Sequence, residues 1–567
     1  MIRRIIRKLL PVSFRIVIES IIIDIFRFFG KKHTKLTMKE FPIRMDGGNA
    51  LKQYPFLQSK NVQYFAQIYG CEYVTDVTVG KRSYINYTSE IVPGKLCSKS
   101  SEINITHPSV LPVSIINKAT DIARGLLDVQ VNDDKILHLK NLQQNRFHYL
   151  PVPKNSKIKL SSKSDYIVGN PIITSQEHSD TKKKLVVSIF IDGLASEVFK
   201  SSELKELMPN TFEYFQSGIL FFNGFSNSNW TLPSVTSMVS SLYPINHKFY
   251  HPSDDIHLGD NYSVMSEFFR DAGYLTAQIC SNFRKNPGYN YSLGFDRSLY
   301  RNSMGCDEVI TKGMEHLRAF KNRSNFLWLT FFETHHFLHG VPDISNQVNT
   351  KLDSHSYSAS SVKSPYSSFD EKRSKSYIEE VKRIDFYLGI FFDYIKKNYC
   401  DNEVVISICS DHGKGFLGDE KNALAPHRVS VPMFFQSSDT NYKISNKIVE
   451  NVDFLPSLLD LSGIKYNKDR FDGVSVFAKD VHKEYAISEV IYPNDFYCAS
   501  VYDNNYIFYL KSNCKIFSIE DIDFYDCAYS IILRSDSSVI ERGNTNQLTD
   551  KSKKYFKYFV QHKRDPL

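Results

Sequence analysis

The sequence predicts an α/β fold: a doubly wound, mostly parallel sheet, preceded by a β-rich accessory domain and followed by a small antiparallel lobe. The run LVVSIFI, residues 185–191, is apolar at nearly every position, as expected of a strand that is covered on both faces. Helical and extended patterns alternate from there to about residue 480. Both flanks consist of short Val-, Ile- and Tyr-rich alternations bounded by turn residues, which favours antiparallel strands.

Length and composition agree with this division. The chain has 567 residues, of which 42% are hydrophobic and 23% charged, which is enough for two or three domains with large cores. We expect a basic amphipathic segment over residues 1–38, the β-rich domain over 39–180, the α/β domain over 184–480 and the C-terminal lobe over 481–567. The β-rich domain has the strand spacing of a sandwich, with one helical insertion predicted over residues 109–128.

The α/β domain is predicted element by element from its hydrophobic periodicity. Helical periodicity occurs in residues 203–218, 263–274 and 377–398. Extended, apolar runs occur in residues 219–227, 275–282, 324–334, 403–413 and 429–436. In such a sheet, polar residues at the carboxyl ends of the strands line the site, so these ends are where functional residues are expected.

Composition also excludes some classes of function. The formal charge of +8 comes without a basic run interleaved with aromatic residues, so we expect no binding to nucleic acid. The nine cysteines are scattered and include no CxxC pair, which predicts reduced thiols and a cytoplasmic location. The sequence leaves the oligomeric state open.

The first 35 residues combine basic ends with a broad Ile, Leu and Phe face. Arg15, Glu19, Asp24 and Arg27 interrupt the apolar stretch, so it predicts neither a membrane span nor a signal peptide. Two interpretations are equal: a helix lying on the inner membrane surface as a peripheral contact, or a terminal helix packed on this protein or on a second subunit.

Groups that bind metal ions stand at four predicted strand ends. They are Asp192, the segment Glu333 to His336, the pair Asp411 and His412, and His427 just before its strand. Carboxylates and imidazoles brought together in this way suit a divalent ion such as zinc or manganese. Each of these motifs alone also has an explanation without any catalytic or binding role. Asp-Gly is common in turns, and Asp-His-Gly occurs by chance in long proteins. Of His335, His336 and His339, we expect His336 to face the site, and His335 next.

The stretch NSNWTLPSVTSMVSSLYP, residues 227–244, permits two interpretations of Thr231. Pro233 falls in a first helical turn, so Thr231 stands where an N-cap residue would stand. The same place favours an anion, and a metal-bound hydroxyl there would be a nucleophile toward a phosphate ester.

Six segments in order resemble the sulfatase-like branch of the alkaline phosphatase superfamily, which includes phosphoethanolamine and phosphoglycerol transferases. Within about residues 185–480 they are IFIDGL, WTLPSVTSMVSSLYP, FFRDAGYLTAQICSNF with YSLGFD, FFETHHF, VKRIDFYLGIFFDYIKKN, and ICSDHGKGFLG with APHRVSVPMFF. The resemblance implies the sulfatase-like α/β fold for this region. It also implies that Asp192, Asp411 and His412 bind a metal ion and that Thr231 is both a nucleophile and a metal ligand.

The resemblance further assigns His336 and His427 as ligands of a second metal ion or as contacts to the transferred group. It implies one or two divalent ions, zinc or manganese first and calcium as a third candidate.

Two departures from the family pattern are informative. Sulfatases have Cys or Ser in a Cys/Ser-x-Pro-Ser-Arg motif and convert it to formylglycine, whereas this chain has Thr231 there and Val235 in the place of the Arg. Sulfatases also show paired Asp after the first strand, where this chain has Asp192 and Gly193. Both departures favour phosphoryl chemistry over sulfate hydrolysis.

These features predict a metal-dependent enzyme in which Thr231 attacks a phosphodiester-type donor and His336 protonates the leaving group. A phosphoethanolamine- or phosphoglycerol-type group would then pass to a surface glycan or its lipid-linked precursor. One alternative is a hydrolase of phosphate or sulfate esters. Another is a non-catalytic scaffold subunit, which would predict losses among the ligands, and all of them are present.

Overall fold

The computed structural model describes most of the chain after residue 34. The described residues are 35–40, 62–68, 73–79, 82–85, 88–115, 125–142, 146–175, 183–199, 201–251, 258–259, 261–285, 289–336, 367–479, 483–492, 495–516 and 518–561. The predicted membrane-surface helix lies outside them, apart from its last residue. In the part that the structure describes, no helix has the length and apolar character needed to cross a membrane.

The chain divides into two compact units. The first is Met1–Ile172 with Asn286–Ser292 and Leu299–Asn302, and the second is Ile173–Lys285 with Leu293–Ser298 and Ser303–Leu567. The C-terminal lobe thus belongs to the same unit as the α/β sheet. The predicted domain boundary at residues 180–184 lies in part outside the described residues and stays a prediction.

The first unit consists of antiparallel strands. They are β1 Lys35–Glu40, β2 Gln63–Ile68, β3 Tyr73–Val79, β4 Arg82–Ile85, β5 Ser89–Cys97, β6 Ser100–Ile105, β7 Ser109–Ile115, β8 Gly125–Val131, β9 Leu137–Leu142, β10 His148–Val152, β11 Ser156–Ser161, β12 Tyr166–Gly169 and, at the junction, β13 Ile172–Ile173. The pairings run β1-β3-β4, β6-β11-β8-β9 and β10-β7-β12-β5, with β2 on β5. Strands of the last two sheets share one apolar core, for example Val113 and Tyr166 with Ile158 and Leu160, as in a sandwich.

The helical insertion predicted over residues 109–128 is wrong at both of its ends. Residues 109–115 form β7 and residues 125–131 form β8, while 116–124 lie outside the described residues. Leu111, Val113 and Leu127 of these strands are buried in the sandwich core. The pairing of β7 with β10 and of β8 with β11 decides the extended conformation of these two segments.

The second unit contains the α/β domain. Its elements are β14 Leu185–Ile191, α1 Ser201–Leu207, α2 Pro209–Tyr214, β15 Ile219–Phe225, α3 Thr231–Ser240, α4 Pro244–His247, α5 Met265–Asp271, β16 Leu275–Cys280, β17 Arg297–Tyr300, α6 Cys306–Ala319, β18 Asn325–Phe331, α7 Glu333–His336, α8 Glu371–Asn398, β19 Val404–Cys409, α9 Pro426–Val429, β20 Ser430–Ser437, β21 Lys443–Ser445, β22 Val449–Glu450 and α10 Phe454–Leu461. All the predicted helices and strands of this domain are present, which confirms the fold class.

The sheet order in this domain is β16-β18-β14-β19-β20-β15-β21. Strands β16, β18, β14 and β19 are parallel, whereas β20 is antiparallel to both of its neighbours. In register, Ile191 of β14 pairs with Phe331 of β18, and Phe190 pairs with Cys409 of β19. The residues that follow these three strands therefore emerge side by side at one edge of the sheet.

The C-terminal lobe is a five-stranded antiparallel meander with one helix. Its elements are β23 Ala486–Val490, β24 Asp495–Tyr502, β25 Tyr506–Ile516, β26 Cys527–Leu533, β27 Val539–Asn544 and α11 Asp550–Gln561. One face of α11 packs on the sheet, where Tyr555 and Phe559 join a core that includes Tyr497, Phe508 and Ile531. This arrangement confirms the predicted antiparallel lobe.

A buried polar network connects the lobe to the α/β sheet. The ammonium group of Lys483 lies 2.5 Å from Glu450 Oε2 and 2.8 Å from Asp453 Oδ1. Glu450 Oε1 accepts hydrogen bonds from the backbone of Ile487 at 2.5 Å and from the amide of Asn227 at 3.1 Å. Both carboxylates are buried, so they depend on these donors for stability.

Replacing Lys483 by Met should destabilise the protein by about 3–5 kcal/mol, because it leaves two buried carboxylates without their charge partner. Burial already raises the pKa of Glu450. Loss of Lys483 should therefore cost less as the pH falls and Glu450 takes up a proton. Urea unfolding at several pH values measures this, with Lys515→Met, an exposed change on β25, as the control. Equal losses in the two variants would contradict the prediction.

Candidate active site

The carboxyl ends of β14 and β19 bring two buried carboxylates together. Asp411 Oδ1 accepts hydrogen bonds from the backbone N–H of Gly193, at 2.9 Å, and of His412, at 3.0 Å. These bonds fix the Asp411 side chain beside Asp192, which is 0% exposed. One oxygen of each carboxylate, Asp192 Oδ1 and Asp411 Oδ2, is buried without a hydrogen-bond partner. Two such oxygens at one strand edge are the kind of group that a bound cation satisfies.

Thr231 lies at the beginning of α3, and its hydroxyl points to this pair of strand ends. Its Oγ1 is 3.5 Å from Asp192 Oδ2 and 3.4 Å from His412 Nε2. The N-cap residue is Trp230, and the helix has no side-chain cap. The interpretation of Thr231 as an N-cap is therefore wrong by one residue: it is the first helical residue, and its hydroxyl contacts the site rather than the backbone of its own helix.

Hydrogen bonds within the loop before α3 hold Thr231 in place. Ser226 Oγ donates to the carbonyl of Ser228 at 2.6 Å, and Ser234 Oγ donates to the same carbonyl at 3.0 Å. Asn227 bridges to the C-terminal lobe by donating to the carbonyl of Ile487 at 2.9 Å. The loop is thus built as a rigid support, which is what a positioned nucleophile requires.

The imidazole of His412 is held in one tautomer. Its Nδ1 lies 2.7 Å from the carbonyl of Gly413, so this nitrogen carries the proton and donates. The other nitrogen, Nε2, lies 3.4 Å from Asp411 Oδ2 and 3.8 Å from Asp192 Oδ1. A hydrogen bond from Nδ1 to a carbonyl is the usual support of a metal-binding histidine.

His335, in α7, completes the cluster. One donor atom each from Asp192, His335 and His412 lies within 4.8 Å of the others. The ring of His335 stacks on Phe332 with centroids 5.0 Å apart, and its Nδ1 is buried without a hydrogen-bond partner. Burial, reinforced by the charge of Lys414, holds its pKa well below the usual range, so the ring is neutral and free to bind a metal ion.

The side chain of His336, our first choice among the histidines of this segment, lies outside the described side chains. Its role as proton donor or metal ligand stays a prediction. His339 lies outside the described residues.

Three polar side chains that sequence reasoning did not select surround Asp192. Lys285 Nζ lies 3.2 Å from Asp192 Oδ2, which also accepts a hydrogen bond from the amide of Asn282. Lys414 Nζ is 4.0 Å from Asp192 Oδ1. Asn282 and Lys285 follow β16, so the expectation that functional residues lie at strand ends applies to them as well. Lys414 lies two residues after His412, and no sequence pattern distinguishes it from an ordinary loop lysine.

Lys414 occupies space that Gly193 leaves free. Gly193 has a φ of +72°, and a Cβ at this position would lie 2.1 Å from Lys414 Cε. Only glycine is therefore compatible with Lys414 at this place. The ammonium group of Lys414 is buried beside Gly193, 4.0 Å from Asp192 Oδ1.

The charges of the site act strongly on one another. Burial alone would raise the pKa of Asp192, but the attraction of Lys285 and other nearby cations lowers it well below its usual range. Burial, and then repulsion by Asp192, raises the pKa of Asp411. Burial lowers the pKa of Lys414 to about 8 against the opposing pull of Asp192. Opposed pKa shifts of this kind are typical of sites that bind charged groups.

The donor set fits a divalent cation. Asp192 Oδ1, Asp411 Oδ2 and His335 Nδ1 are buried atoms without hydrogen-bond partners, and His412 Nε2 lies 3.8 Å from the first of them and 3.4 Å from the second. Carboxylates with imidazoles suit zinc or manganese, and the residues do not select between them. The number of ions stays open.

His427 lies apart from this group. Its Nδ1 is 2.8 Å from Glu420 Oε2, and the ring packs against Gly418 in a cavity of about 500 Å³ that Glu197 and Asp419 also line. Its connection to the site is through the backbone, since its carbonyl accepts a hydrogen bond from the N–H of Lys414 at 2.9 Å. Among the described residues, the donor cluster does not include His427, and its role as a ligand stays a prediction.

A buried ion pair fixes the turn that carries His335. Glu333 Oε1 lies 3.2 Å from Arg383 Nη1 of α8 and accepts a hydrogen bond from the N–H of Cys306 at the beginning of α6. The Glu333 side chain is 2% exposed and that of Arg383 is 9% exposed. Both α6 and α8 are thereby attached to α7, so this pair positions the His335 ring.

Replacing Arg383 by Met should weaken metal binding by about 10-fold and destabilise the protein by about 3–5 kcal/mol, because it unpairs a buried carboxylate beside His335. Calorimetric metal titration and denaturant unfolding measure the two effects. The neighbouring change Lys382→Met removes only an exposed pair with Glu379 and should cost less than about 1 kcal/mol. Unchanged metal affinity in the Arg383 variant would show that the pair serves folding alone.

Comparison with known proteins places this site in a family. Residues 184–464 match the family model Sulfatase. A structure of a proposed sulfatase from Bacteroides fragilis is 15% identical, with 69% of this chain and 98% of that chain covered and a TM-score of 0.51. A phosphonate monoester hydrolase from Silicibacter pomeroyi is 14% identical, with 66% and 94% covered and a TM-score of 0.51.

Comparison with curated proteins gives no match. At these identities the structural likeness concerns the fold, and the family assignment comes from the matched model over residues 184–464. The resemblance inferred from the six sequence segments is confirmed. The domain that residues 184–464 form is thus a sulfatase-like domain of the alkaline phosphatase superfamily.

Proposed function

We propose that this protein is a metal-dependent enzyme that moves a phospho-substituent from a phosphodiester-type donor to a hydroxyl acceptor, with Thr231 as the nucleophile. The observation that supports this proposal is the position of the Thr231 hydroxyl, 3.5 Å from Asp192 Oδ2 and 3.4 Å from His412 Nε2, with no capping role. Enzymes of the sulfatase family hydrolyse sulfate or phosphate esters with a divalent metal ion, which gives the general class of reaction.

The residues that would hold the ion are Asp192, Asp411, His412, His335 and Thr231. When bound, the ion supplies a positive charge that acidifies the hydroxyl and neutralises charge on the phosphoryl oxygens. The protein's own contribution is to keep the Thr231 hydroxyl donating to Asp192 Oδ2, which directs its proton away from the attacking lone pair.

The chemical steps follow from this arrangement. The Thr231 oxygen forms a bond to phosphorus while the bond from phosphorus to the leaving oxygen breaks, and His336 is the proposed donor of a proton to that oxygen. The oxygen of the acceptor then attacks phosphorus, and the bond to Thr231 breaks. The proton that Thr231 loses on attack passes to the solvent buffer, which also reprotonates His336. The acceptor's proton restores the Thr231 hydroxyl, so the enzyme is regenerated.

Phosphate rather than sulfate is proposed because of the residue at position 231. Formylglycine formation requires Cys or Ser, and a threonine cannot give that aldehyde. A threonine alkoxide is instead suited to direct attack on phosphorus. The buried ammonium groups of Lys285 and Lys414 and the N-terminal end of α3 would hold the negative oxygens of the transferred group.

Transfer rather than hydrolysis is proposed because the site is well protected from water. Thr231 is 3% exposed and Asp192 and Lys285 are fully buried. A buried intermediate survives until a bound acceptor arrives. A hydroxyl of a surface glycan or of its lipid-linked precursor is the proposed acceptor, and a phosphoethanolamine- or phosphoglycerol-type group is the proposed cargo. These two identities rest on family analogy.

Turnover of a bis-nitrophenyl phosphodiester and of a nitrophenyl sulfate, with added zinc or manganese, tests the proposal. We expect cleavage of the phosphodiester alone, lost on chelation, and faster release of product when an acceptor alcohol is added. Product release that is independent of the alcohol, with inorganic or monoester phosphate as the product, would favour the hydrolase. Tight metal binding without turnover of any ester would favour the scaffold subunit.

A further inference from the structure

A cavity of about 700 Å³ in the second compact unit shares no lining residue with the candidate active site. Its walls include four asparagines, two aromatic rings and one charged side chain, namely Asn223, Asn446, Asn504, Asn505, Phe222, Tyr506 and Arg534. None of the lining residues is acidic. The volume is in the range of small-molecule sites, and the lining combines amide groups with a single cation.

The position of Asn223 is not explained by local structure. Asn is common in turns, which accounts for Asn504 and Asn505 in the connection between β24 and β25. Asn223, in contrast, lies inside β15, where asparagine is disfavoured. The register of β15 against β20 shifts between Phe221 and Gly224, so Asn223 is part of a bulge. Bulges redirect side chains and often occur next to binding sites.

The guanidinium of Arg534 is fixed in the wall of this cavity. It donates from Nη1 to the carbonyl of Asp503 at 2.6 Å and from Nη2 to Asn223 Oδ1 at 3.1 Å, and it lies over the ring of Phe225. Both of these acceptors are uncharged. The carboxylate of Asp503 accepts hydrogen bonds from the hydroxyl of Tyr555 at 2.7 Å and the backbone of Asn505 at 2.8 Å. Asp503 and Glu197 attract the guanidinium electrostatically.

The amide groups are held at separate points around this cation. The Asn223 amide donates to the carbonyl of Asn446 at 3.1 Å, and the carboxylate of Asp503 also accepts from the N–H of Tyr506 at 2.6 Å. These bonds fix the chain on two sides of the cavity. The exposed Asn446, Asn504 and Asn505 side chains each offer both a donor and an acceptor.

We propose that this cavity binds an acidic sugar residue of a glycan. A sugar ring presents several hydroxyls, which asparagine amides bind as donors and acceptors. The ring of Tyr506 contributes to the wall, with the ammonium group of Lys551 over one of its faces at 3.6 Å from the centroid. The carboxylate of the sugar pairs with the preoriented guanidinium of Arg534. A single cation does not fit nucleic acid, which requires several contacts to phosphates. This inference does not depend on the proposed catalytic activity.

Calorimetric titration of the full chain with a hyaluronan hexasaccharide, in chelator and at physiological salt, tests the proposal. The carboxyl-reduced form of the same hexasaccharide is the matched neutral probe. We expect the acidic form to bind about 10-fold more tightly. Arg534→Gln should abolish this difference, and Asn446→Ala combined with Asn505→Ala should weaken both probes by about 10-fold or more. Asn546→Ala, an exposed asparagine outside the cavity, should change nothing.

Circular dichroism of each variant shows whether it is folded. Absence of binding to the folded wild-type protein at millimolar probe would overturn the proposal. Binding that the cavity variants leave unchanged would do the same, as would equal affinity for the acidic and the reduced probes. Because the titration contains no metal ion and measures no turnover, an inactive enzyme does not affect the outcome.

Discussion

Replacing Thr231 by alanine is expected to lower the turnover of a phosphodiester by about 10³-fold or more, because it removes the proposed nucleophile. Thr231→Ser keeps a hydroxyl in the same place and should retain activity within about 10-fold. The matched control is Thr236→Ala in the same helix, whose hydroxyl donates to the carbonyl of Leu232 at 2.8 Å. Steady-state rates with saturating metal ion measure all three variants.

If the Thr231→Ala variant retained most of the activity, Thr231 would not be the nucleophile. In that case a metal-activated water would be the attacking group, and the hydrolase would become the better description. Metal titration of the variant separates loss of the nucleophile from loss of a metal ligand. If Thr231 does not bind the metal ion, its replacement leaves the metal affinity unchanged.

Asp411→Asn should nearly abolish metal binding and activity, and yet it should stabilise the metal-free protein. The amide oxygen can still accept from Gly193 and His412, so the loop is preserved, but the charge that a cation needs is lost. Burial and the charge of Asp192 raise the pKa of Asp411, which means that its ionised form is unfavourable without a cation. The loss of affinity should exceed the about 10- to 100-fold that follows removal of a supporting residue.

Two measurements check the expected loss of metal affinity and the expected gain in stability. Calorimetric titration gives the metal affinity, and thermal unfolding in chelator gives the stability. Asp296→Asn is the control, since Asp296 is also a carboxylate of raised pKa but lies beside β16 and accepts from the N–H of Thr276. It should leave metal affinity unchanged. A chelated Asp411 variant that is less stable than wild type, with normal metal affinity, would contradict a metal centre here.

The parallel core and two of its strand ends were predictable from the sequence because of local patterns. A strand covered on both faces must be apolar at nearly every position, and this signal marked β14, β18 and β19 without any knowledge of their partners. The carboxyl ends of parallel strands meet at one edge, so Asp192 and Asp411 could be placed near each other before the register was known.

The remaining features depend on contacts that a linear pattern does not contain. The role of Lys414 follows from its fit against Gly193, which joins positions 221 residues apart only after folding. The strands at residues 109–115 and 125–131 depend on pairing with distant partners, as β-structure generally does more than helical structure. His427 was selected by its place before a strand, but its ring lies against Glu420, a contact that the linear pattern does not contain.

Detection of a covalent intermediate on Thr231 tests the central claim most directly. The protein would be mixed with zinc or manganese and a phosphodiester, quenched in acid within one turnover and digested, and the peptide that contains Thr231 would be analysed by mass spectrometry. The account predicts a phospho-substituent on Thr231, absent from chelated samples and from samples without donor. Turnover of the donor with an unmodified Thr231 peptide at every quench time would contradict it.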